Sequence, residues 1–344
     1  MIKKNFVVIP WVIFFSAWLV FFCYGRKKRM AMTLVSQPVG RFVINLPEES
    51  SISWGRQGFD YGGPFIESFT AESPEFLKEI LDEDIKPLQV PHDDGGLQLD
   101  NIVQGNIPNS WFVYYWNITL IKTNIIKLKG FFWKQGIGFV FKNSARNDKQ
   151  GIQERENLLN DLFQRINLRS EREIPTEPGF CFKHAYFRGE PVADPNEHIA
   201  IHASLPSKPG VFIRFTTDVV GQGVVSGPNL LERKLKNPLP FGLSLIVGIR
   251  RLRLEERWVG PYRGHELIER IREANGTVGY SFMWEYSGEV DSATSPAMML
   301  ELMTGYAEPP INSTLSRKEA MALWDAMLNS IRYRVPSEPL QPGA

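Results

Sequence analysis

The N-terminal segment constrains this chain most, because residues 6–25 form an apolar run without a charged side chain. Twenty residues in a helix span about 30 Å, the thickness of the hydrocarbon core of a bilayer. Two lysines precede the run, and four basic residues, 26–29, follow it. The sequence therefore predicts a membrane anchor over residues 1–29. The aromatic residues expected within the membrane are Phe6, Trp11, Trp18 and Tyr24.

The anchor is expected to be retained, because the apolar run ends in Phe21 and Phe22, where a signal peptidase requires small residues. A cleaved signal peptide is the alternative. The side of the membrane is less well defined. The stronger basic flank after the run favours a cytoplasmic body under the positive-inside rule.

The composition indicates a globular body and excludes some kinds of site. Apolar residues make up 43% of the chain, and the formal net charge of +1 gives no general preference for nucleic acid. The two cysteines are Cys23, in the apolar run, and Cys181. A disulfide within the body and a cysteine metal site are therefore excluded.

Strand and helix patterns occur on both sides of a charged, proline-containing stretch near residues 169–178. Alternation of Phe42, Ile44 and Leu46 predicts a strand, and residues 52–59 are expected to be its hairpin partner. Because strands do not alternate strictly with helices, the expected fold class is α+β with mostly antiparallel sheets, after an N-terminal transmembrane helix. Amphipathic helices are predicted after Ser73, over residues 149–166 and 264–274, and after the capping box of Ser316 and Glu319.

The charged stretch is interpreted as a boundary between two domains. The expected organisation is an anchor at residues 1–29, an N-terminal α+β domain at 36–170, a junction at 171–179, a C-terminal α+β domain at 180–334, and a proline-rich tail at 335–344.

No catalytic residue, cofactor site or metal site is predicted from the motifs. The sequence around Ser244 lacks the second glycine of a nucleophile elbow. His198 and His202 share one face of a predicted strand, but no third zinc ligand stands nearby, so an ordinary strand face is favoured. Cys181 is flanked by two phenylalanines, which favours a small buried residue over a reactive thiol.

One charge pattern indicates a binding surface. Residues 60–100 contain eleven acids and two lysines. Such a surface can steer a basic partner, although an ordinary solvated face is the alternative. The residues predicted to bind a partner are Asp82, Glu83, Asp84, Asp93 and Asp94. A basic counterpart, which could instead pair with Glu255 and Glu256, is formed by Arg250, Arg251, Arg253, Arg257 and Arg263.

Residues 173–182, Glu-Ile-Pro-Thr-Glu-Pro-Gly-Phe-Cys-Phe, resemble the junction motif of the two-domain immunity proteins that neutralise type VI secretion lipase effectors. Residues 39–47 are similar to the opening strand of that family. Residues 300–305 and 316–332 are similar to its closing segment. The resemblance covers the whole body in order, and it is most specific in the junction and the C-terminal half.

The resemblance implies a non-enzymatic inhibitor whose two α+β domains grip a co-encoded phospholipase like a claw. Because that enzyme attacks membranes from the periplasm, the resemblance favours a single-pass inner-membrane protein with a periplasmic body, against the charge flank. A membrane-tethered hydrolase and an envelope module that binds a small ligand are the alternatives. The family has no shared catalytic residues to transfer to this chain.

Overall fold

In the computed structural model, the described residues are 32–58, 65–90, 96–117, 124–191, 196–222, 229–236 and 248–334. The chain from Leu34 onward forms one compact unit by itself. The expected anchor at residues 1–29 and the tail at 335–344 lie outside the described residues. The anchor positions Phe6, Trp11, Trp18 and Tyr24 lie outside them too.

No helix among the described residues has the length and apolar character needed to cross a bilayer. The expected fold class is corrected in this respect: the structure supports an α+β fold with antiparallel sheets and does not support the leading transmembrane helix. The expected location as a single-pass inner-membrane protein loses its support for the same reason.

One antiparallel sheet dominates the described part of the chain. It has twelve strands, and every pairing between neighbours is antiparallel. In spatial order, with labels following the chain, they are β14 (Gly248–Val259), β15 (Tyr262–Arg272), β16 (Val278–Tyr286), β17 (Ala297–Thr304), β13 (Phe212–Asp218), β12 (His198–Ser204), β3 (Ser51–Gly58), β4 (Phe65–Thr70), β8 (Ile137–Arg146), β7 (Ile125–Lys134), β6 (Ser110–Asn117) and β5 (Leu97–Gln104).

Two small sheets accompany the large one within the described ranges. The first has the order β1 (Leu34–Val39), β2 (Phe42–Pro47) and β18 (Arg332–Tyr333). The second has the order β10 (Gly179–Phe182), β11 (Ala185–Arg188) and β9 (Ile166–Leu168).

The large sheet runs without interruption across the expected junction at residues 171–179. Strand β3 pairs with β12, for example at Trp54 and Ile201, and β18 pairs with β2. The predicted hairpin between β2 and residues 52–59 is wrong. A turn closed by the hydrogen bond from Ser50 N to Pro47 O directs β3 into the large sheet. The division into two domains stays a prediction.

The helices in the described residues are short and begin at polar caps. They are α1 (Pro74–Ile85), which continues into a 3₁₀ helix (Lys86–Gln89), α2 (Lys149–Arg165), α3 (Leu230–Lys236) and α4 (Arg317–Leu328). Ser73 accepts a hydrogen bond from Phe76 N, and Ser316 and Glu319 form the reciprocal capping box. The helices predicted at α1, α2 and α4 are therefore confirmed.

The helix predicted over residues 264–274 is wrong, because this segment lies in β15. Gly264 faces Arg257 across a hairpin, and a Cβ there would meet the Trp284 ring at 2.5 Å. Glu266 and Glu269 are buried, so the strand lacks the apolar–polar alternation that marks a half-exposed strand.

Strand β7 is covered by a helix on each face. Leu77 and Leu81 of α1 pack in a cluster with Phe131 of β7. The next residue, Phe132, stacks on Phe163 of α2 with 4.9 Å between ring centroids. Because successive strand residues point to opposite faces, α1 and α2 lie on opposite sides of the sheet.

Candidate partner-binding surface

Asp82, Glu83 and Asp84 lie near the end of α1, and we call these three residues the acidic helix surface. The buried side chains of Leu77 and Leu81 fix which side of α1 faces solvent. Relative exposure is 53% for Asp82, 70% for Glu83 and 36% for Asp84. The predicted residues Asp93 and Asp94 lie outside the described residues.

Each carboxylate of the acidic helix surface has a lysine partner. Lys78 Nζ lies 3.6 Å from Asp82 Oδ1, and Lys86 pairs with Glu83. These two pairs are exposed, so they contribute about 0–1 kcal/mol and leave the carboxylates accessible. Asp84 differs, because Lys129 Nζ, which is mostly buried, lies 2.6 Å from Asp84 Oδ2. Asp82 and Glu83 are therefore freer to meet a partner than Asp84.

An exposed aromatic side chain accompanies these acids. Phe76 is 43% exposed and lies seven residues before Glu83, on the same stripe of α1. The surface thus combines carboxylates with exposed apolar area, and protein interfaces likewise contain both apolar and polar area.

The junction segment is fixed in place by two buried guanidinium groups. Arg169 donates hydrogen bonds to the carbonyl oxygens of Glu171 and Phe182 at 2.6 and 2.8 Å. Arg334, from the end of the described chain, donates to Pro175 O at 2.9 Å and also to the Glu177 and Gly179 carbonyls. Three of the acceptors, the carbonyls of Glu171, Pro175 and Glu177, lie outside any strand, so these bonds satisfy backbone groups that no strand ladder reaches.

Strand β10, which begins at the end of the junction, meets the turn between β1 and β2. Gly40 N donates to Cys181 O and Cys181 N donates to Gly40 O, both at 2.8 Å. The Cys181 side chain is fully buried, and burial raises the pKa of its thiol. A buried thiol with a raised pKa is unreactive, as the sequence predicted.

A cleft of about 390 Å³ separates the junction from the turn between β7 and β8. Its lining includes Lys134, Glu173, Ile174, Pro175 and Tyr186. Lys134 Nζ donates to Ile166 O at 2.5 Å, and burial lowers the pKa of Lys134.

His198 and His202 lie on one face of β12, as predicted. His202 stands opposite Arg214 in the register, and burial and Arg214 lower the pKa of His202. Within the described residues no group of three or more His, Cys, Asp or Glu side chains could hold a metal. The arrangement favours an ordinary strand face over a zinc pair, and Ser244 lies outside the described residues.

The predicted basic counterpart divides into two groups. Arg263 pairs with Glu256 at 2.6 Å, and Arg253 lies 3.3 Å from Glu255, so the expected pairing with these two acids is confirmed. Arg253 and Arg257 also bind Glu266, which is fully buried. The two remaining members, Arg250 and Arg251, are exposed on β14 and make no ion pair among the described residues.

Sequence reasoning missed the buried charged residues. Arg41 and Glu197 form a buried ion pair that links β2 to the segment before β12. Arg41 directly precedes β2, both faces of which are covered. A single charge within the apolar run around Phe42 was the available signal for a buried guanidinium.

Residues 173–336 match the family model described as the Tle cognate immunity protein 4 C-terminal domain. This segment is therefore similar to that family. The resemblance to type VI secretion immunity proteins, based on the junction and closing segments, is confirmed. No curated protein sequence matches the chain.

Solved structures extend the similarity over the N-terminal half. The apo immunity protein TplEi of the T6SS from Pseudomonas aeruginosa has a TM-score of 0.70 and 25% identity, covering 89% of this chain and 98% of that one. The crystal structure of the Tle4–Tli4 complex has a TM-score of 0.70 and 26% identity, covering 89% of this chain and 98% of that one. TplEi complexed with "L" peptide has a TM-score of 0.66 and 26% identity, covering 88% of this chain and 99% of that one. The chain therefore resembles immunity proteins over both halves.

Proposed function

We propose that this chain is an immunity protein that binds a cognate type VI secretion phospholipase effector and holds it inactive. The supporting observation is the match of residues 173–336 to the Tle cognate immunity protein 4 domain. Similarity to a chain in the Tle4–Tli4 complex, covering 98% of that chain, supports an inhibitor that acts through direct contact.

Inhibition in this proposal requires no catalytic residue in the immunity protein. A lipase must reach lipid and open its active site, so a bound protein inhibits it by covering that route or by stabilising a closed state. A stable interface of this kind buries roughly 2,000 Å² or more. The long sheet offers such an area, since twelve strands spaced by about 4.8 Å extend over roughly 50 Å.

We propose that the acidic helix surface is one part of the contact. It lies on the half of the sheet that ends at β5, far from the other edge at β14. A contact at each end would clasp the lipase between the two halves of the chain. Asp93 and Asp94, which follow α1 closely in sequence, are proposed to bind the partner as well.

The test uses the purified lipase encoded beside this chain and a fluorogenic phospholipid. We expect one equivalent of the immunity protein to abolish turnover and the two proteins to elute together in gel filtration. An unrelated phospholipase, assayed in parallel, should retain full activity. A cognate lipase that remains fully active with this protein in excess contradicts the proposal. Phospholipid turnover by the immunity protein alone would contradict the non-enzymatic part.

A further inference from the structure

Strand β14 forms one edge of the large sheet in the described part of the chain, where it pairs with β15 alone. Its pairing contains a bulge between Arg251 and Arg253. The outer side of such a strand presents backbone N–H and C=O groups that a further strand can bind. Edge strands therefore serve as docking sites for extended segments of partner proteins.

Four arginines cluster at the end of the β14–β15 hairpin that is remote from its turn. They are Arg250, Arg251, Arg270 and Arg272, and we call them the arginine edge. Arg250 and Arg270 stand directly opposite each other in the register, and Arg272 stands opposite Gly248 on the same face. Like charges directly opposite one another destabilise a strand pair.

The other end of the same hairpin has a different arrangement. There Arg253 and Arg257 bind Glu266, and Arg263 binds Glu256. At the arginine edge none of the four guanidinium groups forms an ion pair within the described ranges. Glu269 stands opposite Arg251 in the register, but neither Glu269 nor Glu273 forms an ion pair with any of the four within the described ranges.

The sequence before β14 supplies no compensating charge either. Residues 237–247 contain no Asp or Glu. Protection of a sheet edge from aggregation explains a charged residue on β14, but it does not require an arginine opposite an arginine on β15. The placement of Arg250 opposite Arg270 therefore lowers stability without a compensating contact in the described residues, which is typical of a surface kept for a partner.

We propose that the arginine edge binds an extended acidic segment of the effector lipase, which adds to β14 as a further strand. This inference rests on the proposed function. Arginine presents a planar fork that matches a carboxylate, so acidic residues at alternate positions of the segment would bind Arg250, Arg270 and Arg272. Arg251 points to the other face of the sheet, where it would contact an intervening residue of the same segment.

The arginine edge also complements the acidic helix surface. The two lie on opposite halves of the twelve-stranded sheet and carry opposite charge. A partner with a matching basic and acidic region is oriented by both at once, and reversed docking is disfavoured by like charges.

The experiment measures association and dissociation of the cognate lipase with the full chain at two salt concentrations. The variant Arg250→Glu/Arg270→Glu should raise the Kd at least tenfold, with slower and less salt-dependent association. The variant Arg250→Lys/Arg270→Lys keeps the positive charge and should lose less affinity for the lipase. The control Lys149→Glu/Arg188→Glu changes the charge equally at exposed positions outside β14 and β15, and it should bind as the wild type does.

A stability measurement separates folding from binding. The single variant Arg270→Glu places a carboxylate opposite Arg250, so its Tm should equal or exceed that of the wild type while its affinity for lipase falls. Wild-type affinity in Arg250→Glu/Arg270→Glu overturns this inference alone. Failure of the wild type to bind lipase overturns the proposed function and this inference with it. Loss of binding to phosphatidylglycerol vesicles, with lipase binding unchanged, would assign the surface to a membrane and also overturn it.

Discussion

Arg41 donates two hydrogen bonds to the carboxylate of Glu197, with Nε 2.8 Å from Oε2 and Nη2 2.7 Å from Oε1. Both side chains are at most 5% exposed. A further hydrogen bond runs from Arg41 Nη1 to Gly189 O, so all three nitrogens of the guanidinium group donate. The two residues are 156 positions apart, so the pair fastens the first strands of the body to its second half.

Breaking this pair should destabilise the fold strongly. Arg41→Leu leaves the Glu197 carboxylate buried without its guanidinium, which costs about 3–5 kcal/mol in the free energy of unfolding. The double variant Arg41→Leu/Glu197→Leu should lose less than Arg41→Leu alone, because no buried charge remains. Urea unfolding followed by tryptophan fluorescence measures both values.

The matched control for the buried pair is Arg263→Leu, which removes the exposed partner of Glu256. This change should leave the free energy of unfolding near the wild-type value, because solvent screens an exposed ion pair. A free energy of unfolding for Arg41→Leu within about 1 kcal/mol of the wild type would show that the Arg41–Glu197 pair does not hold the two halves together.

Trp324 combines core packing with a hydrogen bond to a buried carboxylate. Its indole Nε1 lies 2.5 Å from Glu266 Oε1, and its ring packs 5.5 Å from Phe282. Trp324→Ala should cost about 3–5 kcal/mol as a core truncation. Trp324→Phe should cost about 1–3 kcal/mol, because Glu266 loses one donor and keeps both arginines. In thermal unfolding, the Tm should decrease from wild type to Trp324→Phe to Trp324→Ala. Equal Tm values for Trp324→Ala and wild type would contradict the packing of Trp324 in the core.

Local signals in the sequence were sufficient for three helices. Ser73 before Pro74, and Ser316 with Glu319, are caps that act within one turn, so no tertiary information is needed to predict them. The pairing of β3 with β12 joins residues far apart in sequence, and alternation within either strand does not encode the partner. The buried Glu266 obscured strand β15, because its carboxylate interrupts the apolar pattern that would have marked this segment as a strand.

The two candidate surfaces also differ in whether local sequence is sufficient to predict them. The acidic helix surface is contiguous in sequence, so charge counting located Asp82 and Glu83 directly. The arginine edge depends on the register that places Arg250 opposite Arg270, and it was visible from the sequence only as a run of basic residues. The opening and junction motifs meet at Gly40 and Cys181, a contact that their separate positions in the sequence do not show.

Gly40 is expected to tolerate no side chain. Its φ is +58°, and a Cβ would lie 3.1 Å from Ile199 Cγ2 and 3.2 Å from Phe180 Cε2. Gly40→Ala should cost about 1–3 kcal/mol from backbone strain, with crowding in addition. Gly136→Ala is the matched control, since Gly136 has φ +87° but open space around its Cβ position. Urea unfolding should give a lower free energy of unfolding for Gly40→Ala than for Gly136→Ala. The reverse order would contradict the close packing of Ile199 and Phe180 around Gly40.

Stability should fall as the pH falls below neutrality, partly through His184. Burial lowers the pKa of His184, whose Nδ1 lies 3.2 Å from Ser68 Oγ. The fold therefore favours the neutral ring, and the unfolded chain takes up the proton first as pH decreases. The contribution of His184 is full above about pH 6.5, its unfolded pKa, and is lost as pH falls through the lowered folded pKa.

His184→Gln tests this dependence, because glutamine keeps a polar group for Ser68 and does not titrate. The fall in Tm between pH 7.5 and pH 5.5 should be smaller in His184→Gln than in wild type. His202, whose pKa is also lowered, should leave part of the slope in place. An identical slope in both proteins would exclude His184 as a source.

Reversing the acidic helix surface should slow association with the cognate lipase. Asp82→Lys/Glu83→Lys removes the two most accessible carboxylates and leaves the Asp84–Lys129 pair intact, so the fold is preserved. We expect a reduced association rate that depends less on salt, with a small change in dissociation, because exposed charges act mainly on encounter. Stopped-flow fluorescence at two ionic strengths measures both rates.

The control for this reversal is Glu154→Lys/Asp161→Lys on α2, which carries the same change in charge on the opposite face of the sheet. Its association rate should stay near the wild-type value, since a face directed away from the lipase contributes only through the net charge. Equal rates for both double variants would make the acids of α1 an ordinary solvated face. A slower rate confined to the α1 variant would place that helix at the encounter surface.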